Sequence, residues 1–187
     1  MQRVLTWIGL LAIAFAGAAS AASFKQEDKP QNLKAYFELM HQTLYAKKDP
    51  KGAAALFKAM VPDSARLKKA LKDNGPPEAA QHISELHASM TIDEQTVTKL
   101  ARAEQKEVRV HGAKTEEIAA YKEGSVAHRQ FPGGTKRLAE LALRPGMTFY
   151  EVEYVEPGKD TGMKYHLMYW AGRQWSMLGP VWRVLKR

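Results

Sequence analysis

Apolar residues recur at steps of three and four through the first half of the chain, the period of a helix buried on one side. The clearest stripe lies in the segment 32–45, and Asp49-Pro50 then supplies an N-cap and a first-turn proline for a second helix. The pattern therefore predicts four helices before residue 91. Their inward residues are Leu33, Tyr36, Phe37, Met40 and Leu44 in the first, Ala53, Leu56, Phe57 and Met60 in the second, Leu67, Ala70 and Leu71 in the third, and Ala79, Ile83, Leu86 and Met90 in the fourth.

The pattern is less regular between residues 91 and 147. Thr91 and Glu94 have the spacing of a capping box, which predicts a helix over 92–103, although a strand is an alternative reading of the same residues. Three further elements are predicted in this region. They are a strand over 107–112, a brief helix from a Thr115 cap through Ile118, and a helix over 135–143 that places Leu138, Leu141 and Leu143 on its inward side.

From residue 147 onwards the period changes to two, as in a β-strand. Two more apolar segments, 162–170 and 173–178, follow the first and are joined by a tight turn near Ala171-Gly172. This succession predicts an antiparallel meander. In its first strand, Tyr150, Val152 and Tyr154 share one side, while Phe149, Glu151, Glu153 and Val155 share the other.

The middle strand of this meander is apolar on both sides. Strict alternation puts Tyr165, Leu167 and Tyr169 on one face, and it puts His166, Met168 and Trp170 on the other. A strand that faced water would carry polar residues at alternate positions, so we expect this strand to be covered on both sides or to line a hollow. Pro180 is expected to end the ladder, because proline cannot donate a backbone hydrogen bond.

The N-terminus has the pattern of a secretory signal. Arg3 precedes an apolar run that is too short for a membrane span, and Ala19-Ser20-Ala21 fits a signal-peptidase site. We therefore predict a signal peptide over 1–21, a flexible lead-in over 22–30 and a single α+β domain over 31–187. The expected location is the periplasm or the medium, with no membrane segment left after cleavage.

Composition narrows the possible functions. The chain has no cysteine, which excludes thiol catalysis and cysteine-ligated zinc and leaves packing to hold the fold. Loss of 1–21 removes one of the 28 basic residues and none of the 20 acidic ones, so the mature net charge is +7. An exported protein seldom meets nucleic acid, so a charged partner would be an anionic envelope polymer or a lipid headgroup. The alternative is a basic surface that only contacts water. The basic clusters are Lys47, Lys48 and Lys51, then Lys68, Lys69 and Lys72, and finally Arg183, Lys186 and Arg187.

No metal or cofactor motif stands out. His82 and His87 would lie ~140° apart around a helix axis, whereas ligands of one metal need a spacing of three or four residues. The glycines before Thr135 lack the ending of a phosphate-binding loop. We expect neither a metal nor a cofactor.

Two sites on the sheet are candidates. The leading hypothesis is a non-enzymatic domain that binds a small apolar ligand or another envelope protein through a wall formed by His166, Met168, Trp170 and Trp175. The alternative is an acid–base enzyme. In that enzyme His166, Glu151 or Glu153 would take a proton, and Tyr150 or Tyr154 would donate a hydrogen bond.

The segment 131–183, FPGGTKRLAEL through YHLMYWAGRQWSMLGPVWR, resembles exported bacterial proteins to which no activity is assigned. More distantly, helices before a curved antiparallel sheet look like the NTF2-like cone architecture. This resemblance implies an α+β fold in which an N-terminal helical layer packs on a C-terminal curved antiparallel meander. It implies no residue roles, because members of that architecture include ligand binders, enzymes and inert adaptors.

Overall fold

The computed structural model describes residues 27–183, which form helices followed by a C-terminal antiparallel sheet. The predicted signal peptide and the lead-in up to residue 26 lie outside the described residues. The α+β class and the meander are confirmed. The elements are α1 Pro30–Tyr45, α2 Pro50–Ala59, α3 Ser64–Ala70, α4 Pro77–Ala88, α5 Glu94–Val97, β1 Glu107–Lys114, α6 Thr115–Ala120, α7 Val126–Gln130, α8 Gly134–Leu141, β2 Thr148–Val155, β3 Met163–Trp170 and β4 Trp175–Met177, followed by a 3₁₀ turn at Val181–Arg183.

The first four helices occur where the apolar stripes predict them. Asp49 caps α2 as expected, since its side chain accepts a hydrogen bond from the Gly52 amide at 2.8 Å. The third helix ends earlier than the pattern suggests. Leu71 lies just outside α3 in an extended conformation and forms a β-bridge with Leu143. That bridge joins the end of α3 to the segment between α8 and β2.

The middle of the chain departs most from the sequence-based expectation. The predicted helix over 92–103 is a four-residue helix, α5, capped by Asp93 rather than Thr91. The segment 126–130 forms α7, which has no clear sequence pattern because it is little longer than one turn. Leu141 is 41% exposed, so the prediction that it packs inward is wrong.

The strands pair in the order β1-β2-β3-β4, and helices cover both faces of the sheet. We call the side that packs on α1, α2 and α5 the helical face. The opposite side, which packs partly on α6 and α8, is the mixed face. The helical face carries Val108, Val110, Tyr150, Val152, Tyr154, Tyr165, Met168, Trp170, Trp175 and Met177. The apolar half of the mixed face carries Ala113, Phe149, Leu167 and Tyr169.

A β-bulge interrupts β3 and changes which face its side chains reach. Tyr150 is opposite Met168, but Val152 is opposite Tyr165, so both His166 and Leu167 are opposite Glu151. Leu167 adopts a left-handed backbone conformation with φ 55°, which is strained for a residue with a side chain. The predicted alternation of β3 is therefore wrong. Tyr165, Met168 and Trp170 lie on the helical face, and His166, Leu167 and Tyr169 lie on the mixed face.

Within residues 27–183, no helix combines the length and the apolar character that a membrane crossing requires.

Candidate acid–base site

The mixed face has a polar half as well as an apolar half. Strand register places Arg109, Glu153 and Lys164 in one row across β1, β2 and β3. The next row contains His111, Glu151 and His166. In each row an acidic residue on the central strand β2 lies between two basic side chains. These six residues are called the polar cluster.

Glu151 and His166 are in direct contact within this cluster. The distance from Glu151 Oε2 to His166 Nδ1 is 2.5 Å, and Glu151 Oε1 accepts a hydrogen bond from the Leu167 amide at 3.3 Å. The bulge makes this arrangement possible, because it turns His166 and the Leu167 amide towards the same carboxylate. The side chain of Glu151 is 1% exposed, whereas that of His166 is 21% exposed. The pair is therefore anchored on its acidic side and reachable on its imidazole side.

Burial raises the pKa of the Glu151 carboxyl group above its usual range, and the hydrogen bond with His166 opposes that rise. Burial therefore disfavours the ionised carboxylate, and the contact with His166 favours it. When Glu151 is ionised and the imidazole is neutral, Nδ1 must carry the hydrogen, because a carboxylate can only accept. The Nε2 atom of His166 then holds a free lone pair.

Two other members of the cluster, Glu153 and Arg109, contact the loop between β2 and β3. Glu153 Oε1 accepts a hydrogen bond from the Gly162 amide at 2.6 Å, and this fixes the loop between β2 and β3. Arg109 pairs with Glu107 at 2.8 Å and also donates to the carbonyls of that loop at Lys159 and Asp160. These contacts make Glu153 and Arg109 loop-holding residues rather than free reactive groups.

Basic side chains surround the Glu151–His166 pair. Burial lowers the pKa of His111, and the nearby Lys164 ammonium lowers it further. The same ammonium also acts on Glu151 and opposes the effect of burial there. Lys164 Nζ approaches the Gln130 side chain of α7 at 3.4 Å. Lys164 is thus a positive charge close enough to act on both Glu151 and His111.

Two aromatic residues border the pair. The indole of Trp182 meets the His166 ring edge-on, with ring centroids 5.0 Å apart. Trp182 also lies against Gly134, where an added Cβ atom would be 2.3 Å from the indole Cδ1. Tyr121 lies close enough for the Glu151 charge to add to the rise in its pKa that burial causes. Its hydroxyl donates to the Phe131 carbonyl at 2.6 Å.

The sheet divides the predicted aromatic wall. Met168, Trp170 and Trp175 lie on the helical face, and His166 lies on the mixed face, so the structure does not bring the four residues together. Met168 is completely buried and Trp175 is 6% exposed, while Trp170 is partly exposed and meets Trp175 with ring centroids 5.1 Å apart. These side chains fill the core beneath α1 and α2.

The sheet also separates the two tyrosines from the candidate proton acceptors. Tyr150 donates to Asp28 Oδ1 at 2.8 Å, and Tyr154 donates to the Phe37 carbonyl at 2.6 Å, both on the helical face. Glu151, Glu153 and His166 lie on the mixed face. The idea that Tyr150 or Tyr154 serves the same ligand atom as these groups is therefore wrong.

Trp182, Tyr121 and Lys164 border the pair and are not among the residues that the sequence singles out. The position of Trp182 in the aromatic C-terminal segment could have identified it as a site residue. No sequence pattern identifies Tyr121 or Lys164. The position of Tyr121 depends on where α6 ends against the sheet, and that of Lys164 depends on the register of β3. In the described part of the chain, no group of three or more His, Asp or Glu side chains has an arrangement that could hold a metal ion.

Comparison with protein-family models, curated proteins and solved structures gave no match. The likeness to exported bacterial proteins and to NTF2-like cones accordingly stays a prediction.

Proposed function

We propose that this protein is an exported acid–base domain in which His166 Nε2 exchanges a proton with a small ligand and Glu151 acts as a positioning residue. The observation that carries the proposal is the 2.5 Å contact between Glu151 Oε2 and His166 Nδ1, combined with a buried carboxylate and a partly exposed imidazole. This contact occupies Nδ1 and leaves Nε2 for the ligand.

The proton balance is simple. His166 Nε2 takes a proton from a polar X–H or acidic C–H group of the ligand, and the ring becomes an imidazolium. Glu151, already hydrogen-bonded to Nδ1, stabilises that positive charge. The imidazolium then returns the proton to another atom of the ligand or to water. Lys164 would favour the negative charge that the ligand develops meanwhile.

Backbone strain at the pair also supports this assignment. A left-handed Leu167 in the middle of a strand costs energy, and residues of this kind cluster at functional sites. The strain is local to the residue that turns His166 towards Glu151. A purely structural strand could alternate regularly and avoid it.

The geometry gives less support to binding through an aromatic wall, the leading hypothesis from the sequence. Three of its four residues belong to the helical-face core, where Met168 and Trp175 are buried. Binding there would require the core to open. Attachment to an anionic envelope polymer stays a prediction that rests on the basic clusters alone.

The proposal is tested by NMR of the histidine rings and by chemical modification. Long-range ¹H–¹⁵N spectra should show that the neutral His166 ring carries its hydrogen on Nδ1. Diethyl pyrocarbonate, which acylates a free imidazole nitrogen, should modify His166 faster than the buried His87. The exposed His128 serves as a reference for an accessible ring.

The matched variant is Glu151→Gln, which keeps the shape of the side chain and removes its negative charge. We expect slower modification of His166 in this variant and no change at His128. The proposal would be overturned if His166 of the wild-type protein carried its hydrogen on Nε2, or if it reacted with diethyl pyrocarbonate as slowly as His87.

A further inference from the structure

A second candidate site lies between α3 and α4, whose buried residues belong to the core on the mixed face, whereas those of α1 belong to the core on the helical face. The two helices border a groove of about 580 Å³, within the range of small-ligand sites. Its floor is apolar and consists of side chains that are buried in the core of the mixed face. The floor residues are Leu67, Leu71, Ala79 and Ala142.

The rim of this groove is basic. It contains Lys68 and Lys72, part of the lysine cluster that the sequence shows, and its only acidic residue among those described is Asp73. Asp73 is already neutralised, since its carboxylate makes a two-pronged contact with the Arg144 guanidinium at 2.7 and 3.2 Å. Positive charge therefore remains at the groove without a matching acid.

The two lysines differ in whether the ammonium group already has a partner. Lys72 Nζ donates to the Glu140 carbonyl at 2.6 Å, so it has a structural role at the end of α8. Lys68 is exposed, and no carboxylate of residues 27–183 lies within ion-pairing distance of its ammonium. Lys68 is thus the charge that a ligand can engage without breaking an existing contact.

We infer that this groove binds a small amphiphilic anion, a carboxylate with a short hydrocarbon chain. The hydrocarbon chain would cover the apolar floor, and the carboxylate would pair with Lys68 at the rim. Such a ligand would use the apolar floor at one end and the basic rim at the other, so both properties of the groove would contribute to binding. This site is independent of the Glu151–His166 pair, and the two proposals can fail separately.

Three probes distinguish the two contributions in NMR titrations of ¹⁵N-labelled protein. Decanoate has both the chain and the carboxylate, acetate has only the carboxylate, and decyltrimethylammonium has the chain with the opposite charge. We expect decanoate to shift the amides of residues 67–72 and 79–84 in a saturable way. Acetate and decyltrimethylammonium should bind at least about tenfold more weakly, the loss that corresponds to ~1.4 kcal/mol.

Two variants test the groove itself. Ala80→Trp places an indole in the exposed lining and should abolish the decanoate shifts. Lys68→Glu should weaken decanoate binding about tenfold or more, because an attraction becomes a repulsion. Lys51→Glu, the same charge change at an exposed position of α2, is the matched control and should leave the affinity unchanged.

Several results would overturn the inference. Equal losses in Lys68→Glu and Lys51→Glu would mean that decanoate responds only to net charge. Unchanged binding by Ala80→Trp, or shifts that map outside the groove, would place the ligand elsewhere. Tighter binding of an extended polyanion such as polyglutamate, competed equally by acetate and decanoate, would assign the lysines to a polymer instead.

Discussion

On the helical face, aromatic rings fill the space between the sheet and α1. Tyr154 and Tyr165 both meet the ring of Phe37, with centroid distances of 5.6 and 5.4 Å. On the mixed face, the apolar half packs in the same manner, but the polar half brings two buried glutamates among basic side chains. One sheet therefore carries a core in which ring packing is supplemented by single hydrogen bonds, such as that of Tyr154, and a cluster in which paired charges and hydrogen bonds are the main contacts. Substitutions that change side-chain shape should lower stability most on the helical face. Substitutions that change charge should mainly alter the reactivity of the polar cluster.

The largest expected effect is the loss of packing on the helical face. Phe37→Ala should lower the free energy of unfolding by about 3–5 kcal/mol, because a fully buried ring is replaced by a cavity. Urea denaturation followed by circular dichroism measures the change. Lys164→Ala in the polar cluster is the comparison and should change stability by no more than about 0.5 kcal/mol. Similar losses in both variants would contradict the proposed difference between the faces.

Overpacking beside the polar cluster should have a smaller effect. In Gly134→Ala the new methyl group would overlap Trp182, so the indole is expected to leave its present position against the His166 ring. We expect a loss of about 1–3 kcal/mol in unfolding free energy, together with faster modification of His166 by diethyl pyrocarbonate. Gly146→Ala, at a site with open space around it, shows what an added methyl costs through backbone strain alone. Unchanged access to His166 in Gly134→Ala would show that Trp182 does not limit it.

Single hydrogen bonds on the helical face should matter less again. Tyr154→Phe removes the hydroxyl that donates to the Phe37 carbonyl at 2.6 Å but keeps the ring. The expected loss is about 1 kcal/mol, typical of a buried hydrogen bond. Thermal or urea unfolding measures it. A loss as large as that of Phe37→Ala would mean that polar contacts, rather than ring packing, maintain this face.

The smallest effect at neutral pH concerns His87, which lies outside both sites. Burial lowers its pKa, and its Nε2 contacts the Leu178 carbonyl at 3.1 Å. Because the folded protein disfavours the protonated ring, this contribution to stability is complete above the pKa of an unfolded histidine, about 6.5, and falls as the pH drops below it. Unfolding free energies measured from pH 7.5 to 5 should therefore decline less in His87→Asn. An identical decline in both proteins would rule out His87 as a cause.

The sequence predicts the packing of the molecule better than its chemistry. Long amphipathic helices such as α1 can be predicted because several turns repeat the same apolar stripe, and Leu33, Phe37, Met40 and Leu44 are all buried as expected. The short helices α5 and α7 cannot be predicted in this way, because one turn contains no repeat. The coverage of β3 on both sides also follows from its apolar composition.

The composition of the candidate site could not be predicted, because it depends on one extra residue in β3. Nothing in YHLMYW indicates a bulge, since glycine is absent and the residues alternate plausibly. Without the bulge, His166 would be expected beside Met168 and Trp170. With it, His166 meets Glu151, and a candidate binding wall becomes a candidate proton-exchange pair.

The extra residue in β3 also decides what the loss of one codon there would do. On either side of Leu167 the strand already pairs regularly with β2, Tyr165 opposite Val152 and Met168 opposite Tyr150. Deleting Leu167 alone would therefore leave His166 as the single residue opposite Glu151, and the side chains on both sides of the deletion would keep their faces. Such a shortened strand would lose the left-handed backbone and the Leu167 amide that donates to Glu151.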